Sequence, residues 1–257
     1  MSDWNPKNYL DFKAERTQPA ADLIARLPNR SPKSITDLGC GPGNSTALLR
    51  QAFPSADLTG VDSSPAMIAA AQGAVPGATF VKADVAGWHP SAQSDLVFSN
   101  ALFQWLPERD EVMKRILQSL KKAAMFALQM PDNLDEPCHR LMRETAADGP
   151  WRAKLIDAVH GRRKLEDETH YYDLLAPLSE HLQIWRTTYV HALDSHEAIA
   201  KMLSTTGLKP FLDPLVETER REFLASYVER LTQHYPTARN GRVLFRFPRL
   251  FIIAIRA

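Results

Sequence analysis

The chain has 257 residues, with 31 lysines and arginines against 30 aspartates and glutamates, and 44% of its residues are apolar. This balance argues against a disordered protein and against a nucleic-acid partner bound through a general positive field. The longest apolar runs, residues 250–255 among them, are too short to span a membrane, and the first residues lack an export signal. The sequence therefore predicts a soluble, cytoplasmic protein with no membrane partner.

Strand and helix patterns alternate through the first half of the chain. A helix is predicted after Pro19, with strands at residues 34–38, 57–62, 78–84, 94–100 and 124–130, and helices at 45–52, 65–73 and 107–120. Such alternation is typical of an α/β fold with a mostly parallel sheet. Cys40 and Cys138 form no CxxC pair, so free thiols and no metal site are predicted.

The second half of the chain has a different pattern. Residues 131–181 predict short helices and loops, followed by a strand at 182–193 and helices at 194–203 and 217–233. The last strand, 242–257, contains Pro248, which predicts a bulge, a break or an edge because proline cannot donate to a ladder. One domain of 257 residues is predicted, with residues 1–30 as a lid and residues 131–181 and 194–236 as substrate caps.

A glycine-rich loop follows the first strand. Gly39, Gly41 and Gly43 form a GxGxG pattern, and Asn44 stands where a dinucleotide site has its third glycine. This spacing disfavours an NAD-dependent oxidoreductase. Glycines let the backbone approach a ligand closely, and the carboxylate of Asp37 suits the ammonium group of a bound amino acid. A purely structural turn is the alternative.

Acidic residues also end the next two strands. Asp62 is placed to accept hydrogen bonds from both hydroxyls of a ribose. Asp84 can accept from an adenine amine while the amide of Val85 meets a ring nitrogen. Met67 can pack on the adenine face, although a helical methionine is usually core. These residues together predict S-adenosylmethionine as the cofactor.

The motifs DLGCGPG, GVDSS, KADV and SNALFQW, in this order, resemble the class I S-adenosylmethionine-dependent methyltransferases. The wider pattern, including MSDWNPKNYLDF, NALFQWLP, IWRTTYVH and FPRLFI, resembles one member family, the bacterial trans-aconitate methyltransferases. The resemblance implies a Rossmann-like fold with a seven-stranded, mostly parallel sheet, an antiparallel last strand and helical cap insertions. It also implies methyl transfer to a carboxylate of trans-aconitate. One departure is residues 121–124, KKAA, where such enzymes often have a glycine pair.

The predicted site combines a cofactor set with a reacting segment. The predicted cofactor-binding residues are Asp37, Gly39, Cys40, Gly41, Gly43, Asp62, Ser63, Met67, Asp84, Val85 and Asn100. A carboxylate acceptor is already ionised at neutral pH, so catalysis needs positioning rather than a strong base. Gln104 is predicted to donate to a carboxylate of the substrate, and Trp105 is predicted to form a wall of the methyl-transfer space or to line the sulfonium. A core tryptophan is the alternative for Trp105.

A tricarboxylate substrate requires cations, and arginine suits carboxylates because its guanidinium donates two parallel hydrogen bonds. The predicted substrate-binding residues are Tyr9, Arg16, Asn133, His139, Tyr172, Arg186 and Arg246. The alternative for the arginines of residues 239–256 is a solvent-exposed strand face.

Other functions remain open at this point. The enzyme could methylate another small carboxylic acid, or the chain could be a non-catalytic module that binds the same cofactor. A small-molecule tricarboxylate is the predicted partner, and a monomer is favoured.

Overall fold

A computed structural model describes residues 13–28, 31–161 and 163–257, except the side chains of residues 13, 14 and 16. The described residues form two units. The first, called the sheet unit, lies within residues 13–131, 165–187 and 249–257. The second, called the helical unit, lies within residues 132–164 and 188–248. The predicted cap segment 131–181 is thus divided between the two units, whereas 194–236 lies in the helical unit.

Seven strands form one sheet within the described ranges. They are β1 Ser34–Leu38, β2 Asp57–Asp62, β3 Thr79–Lys82, β4 Leu96–Asn100, β5 Met125–Pro131, β6 Ser179–Leu193 and β7 Val243–Arg256. Their order is β3-β2-β1-β4-β5-β7-β6. Strands β1 to β5 pair in parallel, and β7 pairs antiparallel with β5. This topology confirms the predicted fold class.

Helices connect and cover these strands. They are α1 Lys13–Ala25, α2 Asn44–Ala52, α3 Pro65–Ala74, α4 Arg109–Ser119, α5 Pro137–Asp148, α6 Arg152–His160, α7 Glu168–Leu175, α8 His196–Ser204, α9 Lys209–Leu212 and α10 Glu217–His234. The helix predicted after Pro19 begins earlier in the structure, because α1 contains that proline. Inside a helix, proline removes one backbone hydrogen bond and crowds the carbonyl four residues earlier, at a cost of about 3 kcal/mol. The full burial of Ala20 and Leu23 on the same helix offsets this cost.

Strand β7 is continuous through Pro248, where the sequence predicted a bulge, a break or an edge. Its ladder with β5 ends at the pair Pro131 and Arg249. Pro248 lies just outside this ladder, so its missing N–H removes no hydrogen bond to β5.

The turn before β5 forms without a glycine pair. Ala123 adopts a positive φ of 64°, and its amide donates to the carbonyl of Arg256 at 2.9 Å. A left-handed alanine costs on the order of 1 kcal/mol. The departure at residues 121–124 is therefore accommodated by one strained residue.

Each unit has its own apolar core. In the sheet unit, Phe98, Phe126 and Ile252 are fully buried. In the helical unit, Phe223 and Tyr227 of α10 are also fully buried. Each unit is therefore stabilised by a core formed from its own residues.

Candidate active site

The glycine loop joins β1 to α2 at the carboxyl end of the sheet. Gly39, Gly41 and Gly43 have positive φ angles of 68°, 54° and 93°. The amides of Gly39 and Cys40 both donate to the carbonyl of Val61 in β2, at 2.8 and 3.0 Å. A Cβ atom added to Gly41 would meet no atom within 4 Å. The loop therefore leaves open space at Gly41, where a ligand can approach the backbone.

Two positions of the same loop are tightly packed. A Cβ atom at Gly39 would lie 2.9 Å from the side chain of Leu102, and one at Gly43 would lie 3.3 Å from Ala71. Cys40 is buried between these positions, and burial raises the pKa of its thiol. Cys40 is therefore a neutral packing residue of the loop.

Asp37, near the end of β1, is fully buried. Its Oδ2 accepts hydrogen bonds from the hydroxyls of Ser45 and Thr46 in α2, both at 2.7 Å. Its Oδ1 has no hydrogen-bond partner among the described residues. Burial raises the pKa of this carboxyl from 3.8 to about 7, although the two hydroxyls lower it. The side chain can therefore change its charge near neutral pH.

The pKa of Asp37 predicts a specific pH dependence of stability. Between about pH 4 and pH 7 the folded protein keeps a proton on Asp37 that the unfolded chain releases. The unfolding free energy should therefore fall as the pH rises through this range, by about 1.4 kcal/mol for each pKa unit. The fall is complete above about pH 7, where both states are ionised.

Urea unfolding of the wild type and Asp37→Asn from pH 4 to pH 8 measures this effect. The wild type should lose several kcal/mol relative to the variant as the pH rises. The exposed Asp57→Asn serves as the control and should follow the wild type. Parallel curves for the wild type and Asp37→Asn would show that Asp37 titrates normally.

Asp62 ends β2 and connects two segments through its carboxylate. Its Oδ2 accepts from the amide of Gly41 at 3.0 Å, and its Oδ1 accepts from the amide of Ser64 at 2.9 Å. Ser64 caps α3 by accepting from the amide of Met67 at 3.2 Å. Ser63 is exposed and Met67 is buried. Asp62 therefore holds the backbone of the glycine loop in place at Gly41, beside the open space.

The end of β3 adjoins the same strand end. The amide of Ala83 donates to the carbonyl of Asp62 at 3.0 Å. Asp84 is exposed, and its Oδ1 accepts from the amide of Ala86 at 2.9 Å. Val85 is buried in the core of the sheet unit. The carboxylates of Asp62 and Asp84, which the sequence predicts to bind ribose and adenine, thus lie at neighbouring strand ends.

A constrained turn follows β4, the other neighbour of β1. Ala101 has a positive φ of 58°, and its amide donates to the carbonyl of Gln129 at 3.0 Å. Gln104 is buried, and its Nε2 donates to the carbonyl of Ala101 at 2.6 Å. Trp105 is half-buried, and Asn100 accepts a hydrogen bond from Gln129. The side chain of Gln104 thus stabilises the strained turn that carries Trp105.

The chain is similar to methyltransferases of known sequence. A family model for a methyltransferase domain matches residues 35–123. The chain is 49% identical over 254 residues to a trans-aconitate 2-methyltransferase of Yersinia pseudotuberculosis, covering 99% of this chain and 98% of that protein. It is 47% identical to another of Rhodopseudomonas palustris, with 100% of both chains covered. The chain belongs to the trans-aconitate 2-methyltransferase family.

A solved structure agrees with this family assignment at the level of the fold. The YcgJ protein of Bacillus subtilis superimposes with a TM-score of 0.61 at 12% sequence identity. The alignment covers 93% of this chain and 98% of that chain. The curated relatives confirm the family predicted from the sequence motifs, and this structure agrees with the fold alone.

Two of the predicted substrate-binding residues cannot be placed, because Tyr9 and the side chain of Arg16 lie outside the described residues. Two others, Arg186 and Tyr172, lie in the sheet unit. Arg186 of β6 forms an ion pair with Glu168 and donates to the carbonyl of Glu166 at 3.0 Å. Tyr172 is exposed and lines a cavity of about 410 Å³ with Glu168. Arg186 thus has acidic and carbonyl partners within its own unit.

Other predicted substrate residues lie in the helical unit. Asn133 and His139 are buried, and Arg246 is exposed. The ring of His139 lies against Gly207, where an added Cβ atom would be 2.5 Å from its Cε1. Arg246 is close enough to Glu136 to lower the pKa of its carboxyl, although burial raises that pKa more. The substrate roles of these three residues stay predictions.

The structure adds four residues that the predicted site omitted. Ser45 and Thr46 hold the carboxylate of Asp37, and their place in the first turn after a glycine loop is a signal that could have identified them. Gln129 and Arg249 hold Asn100 through a buried chain of hydrogen bonds. A glutamine at the end of an apolar strand is the corresponding signal for Gln129.

Proposed function

We propose that this chain transfers the methyl group of S-adenosylmethionine to a carboxylate of trans-aconitate, giving the monomethyl ester and S-adenosylhomocysteine. The proposal that trans-aconitate is the methyl acceptor is supported by the 49% identity to a trans-aconitate 2-methyltransferase over nearly the whole chain. The glycine loop and the carboxylates at the strand ends support the methyl donor.

The strand ends of the sheet unit fit an adenosyl amino acid. The open space at Gly41 admits a ligand against the backbone. Each oxygen of Asp62 accepts one amide and keeps a further lone pair, which a ribose hydroxyl can use. An ammonium group near the buried Oδ1 of Asp37 would favour the ionised carboxylate. When bound, S-adenosylmethionine supplies a methyl group on a positively charged sulfur.

The remaining cofactor contacts follow the strand order. Asp84 and the amide of Val85 would recognise the adenine, and Met67 would pack against it. Ser63, Asn100 and the backbone of residues 39–43 complete the proposed set. The neighbouring ends of β1, β2, β3 and β4 support this assignment.

The chain's contribution to the reaction is positioning. A carboxylate with an ordinary pKa is already ionised near neutral pH, so no side chain has to remove a proton from it. Holding reactants in line can give effective molarities of about 10⁵ to 10⁸ M. Gln104 would act by shaping the turn at Ala101, and the half-buried Trp105 would form a wall of the reaction space.

An acceptor panel tests this function. Purified protein is incubated with S-adenosylmethionine and, separately, trans-aconitate, cis-aconitate, citrate, isocitrate and a fatty acid. We expect trans-aconitate to gain one methyl group, with an equal amount of S-adenosylhomocysteine formed. Methylation of another acid but not trans-aconitate would reject the proposed acceptor. No product from any acid would favour a non-catalytic binding module.

The proposed partner is a small tricarboxylate, and the proposed state is a cytoplasmic monomer without membrane or nucleic-acid partners. The near-neutral charge and the two buried free cysteines support this assignment. None of the described helices is long and apolar enough to cross a membrane.

A further inference from the structure

A buried chain of hydrogen bonds connects β7 to the carboxyl end of β4. Arg249 is almost fully buried, and its Nη1 donates to Oε1 of Gln129 at 3.2 Å. Gln129 is fully buried in β5, and its Nε2 donates to Oδ1 of Asn100. Asn100 is half-buried at the last position of β4. These hydrogen bonds therefore connect the buried guanidinium group of Arg249 to the side-chain amide of Asn100 at the edge of the candidate site.

The direction of these hydrogen bonds follows from the chemistry of arginine. A guanidinium group donates hydrogen bonds and accepts none. Gln129 must therefore turn its carbonyl oxygen toward Arg249 and its NH₂ group toward Asn100. Asn100 in turn must accept through Oδ1. Its own NH₂ group is thereby left for another acceptor, and no described residue accepts a hydrogen bond from it.

The backbone at Asn100 is fixed as well. The amide of the next residue, Ala101, donates to the carbonyl of Gln129 at 3.0 Å. Gln104 holds the carbonyl of Ala101 from the other side. Gln129 therefore determines both where Asn100 lies and which end of its amide is available.

We propose that Arg249 and Gln129 are positioning residues that present the NH₂ group of Asn100 to a carboxylate in the active site. This inference rests on the proposed function, because both reactants carry carboxylates. The partner is either the carboxylate of the cofactor's amino-acid part or a carboxylate of the acceptor. Reversing the amide would place its oxygen against that carboxylate and repel it.

Gln129→Glu tests the direction of these hydrogen bonds. The new carboxylate would accept from both Arg249 and Asn100, so Asn100 would turn its oxygen to the site. Asn100→Asp replaces the NH₂ group directly by an acceptor at a half-buried position. The measurements are the dissociation constant of S-adenosylhomocysteine, KM and kcat for the acceptor, and the unfolding temperature.

We expect both variants to raise one of the two constants by about tenfold or more, because a hydrogen bond to a charged group is lost. A raised dissociation constant identifies the cofactor carboxylate as the partner. A raised KM with unchanged cofactor binding identifies the acceptor. A purely structural role would lower the unfolding temperature together with the constant's rise. We expect either constant to rise without such a fall.

The matched control is Gln93→Glu, which makes the same change at an exposed position before β4. It should leave both constants unchanged. If Gln129→Glu does not fold, Arg249→Gln replaces it, since a glutamine can accept as well as donate and no longer imposes the direction. That variant should raise the same constant severalfold.

Two results would overturn the inference. Unchanged constants in Gln129→Glu and Asn100→Asp would show that the amide meets no carboxylate. A change in Asn100→Asp alone would show that Gln129 does not orient it. A wild type that methylates no trans-aconitate would instead refute the proposed acceptor. KM and kcat would then be measured with whichever acid the protein methylates. If it methylates none, the dissociation constant of S-adenosylhomocysteine alone would test the inference.

Discussion

Replacing Asp62 by alanine should raise the dissociation constant of S-adenosylhomocysteine by about 10- to 1,000-fold. The carboxylate orders the glycine loop through the amide of Gly41 and the start of α3 through the amide of Ser64. Under the proposed function, its remaining lone pairs would accept hydrogen bonds from the ribose hydroxyls. Each hydrogen bond to a charged group contributes about 1.5 to 3 kcal/mol, so the loss of one accounts for about a 10- to 150-fold change, and the partial loss of a second raises it toward the upper limit. Isothermal calorimetry measures the change.

The matched control for this variant is Asp57→Ala. Asp57 is exposed at the first position of β2, so the same substitution is made at the opposite end of the same strand. Its cofactor affinity should equal that of the wild type. If Asp62→Ala also kept wild-type affinity, Asp62 would have no part in the cofactor site.

Gly41→Ala should separate cofactor binding from stability. The position has a φ of 54°, and an added Cβ atom would enter open space. The folded protein should therefore lose only about 1 to 2 kcal/mol through backbone strain. The methyl group would occupy the space through which the cofactor approaches the loop. We expect its affinity to fall by about 5- to 150-fold, the equivalent of about 1 to 3 kcal/mol of steric overlap.

Gly77→Ala provides the control for strain. Gly77 has a φ of 80° and likewise has open space around its missing Cβ atom. Urea unfolding should show similar losses of stability for the two variants, while calorimetry should show weakened cofactor binding only for Gly41→Ala. Equal cofactor affinities in the two variants would mean that Gly41 does not adjoin the bound cofactor.

The places of the proposed cofactor-binding residues in the fold could be predicted from the sequence because their determinants are local. Asp62 and the glycine loop each follow a recognisable strand, and the parallel sheet brings those strand ends together. Asp84 was predicted in the same way. The bounds of β1, β2 and β3 differ from the predicted ones by at most two residues.

Contacts between residues that are distant in the chain were harder to predict. Arg249 meets Gln129 across 120 residues, and no local pattern indicates that pairing. Arg186 was predicted as a substrate cation, but its ion pair with Glu168 depends on how β6 packs against α7. Such pairings are decided by packing, which periodicity in the sequence does not encode.

A crystal structure of the protein with S-adenosylhomocysteine tests the central claim most directly. We expect the nucleoside at the carboxyl ends of β1 and β2, with its ribose hydroxyls on Asp62 and its amino-acid part over Gly41. A ligand bound elsewhere, with the carboxylate of Asp62 still facing only the amides of Gly41 and Ser64, would contradict the account.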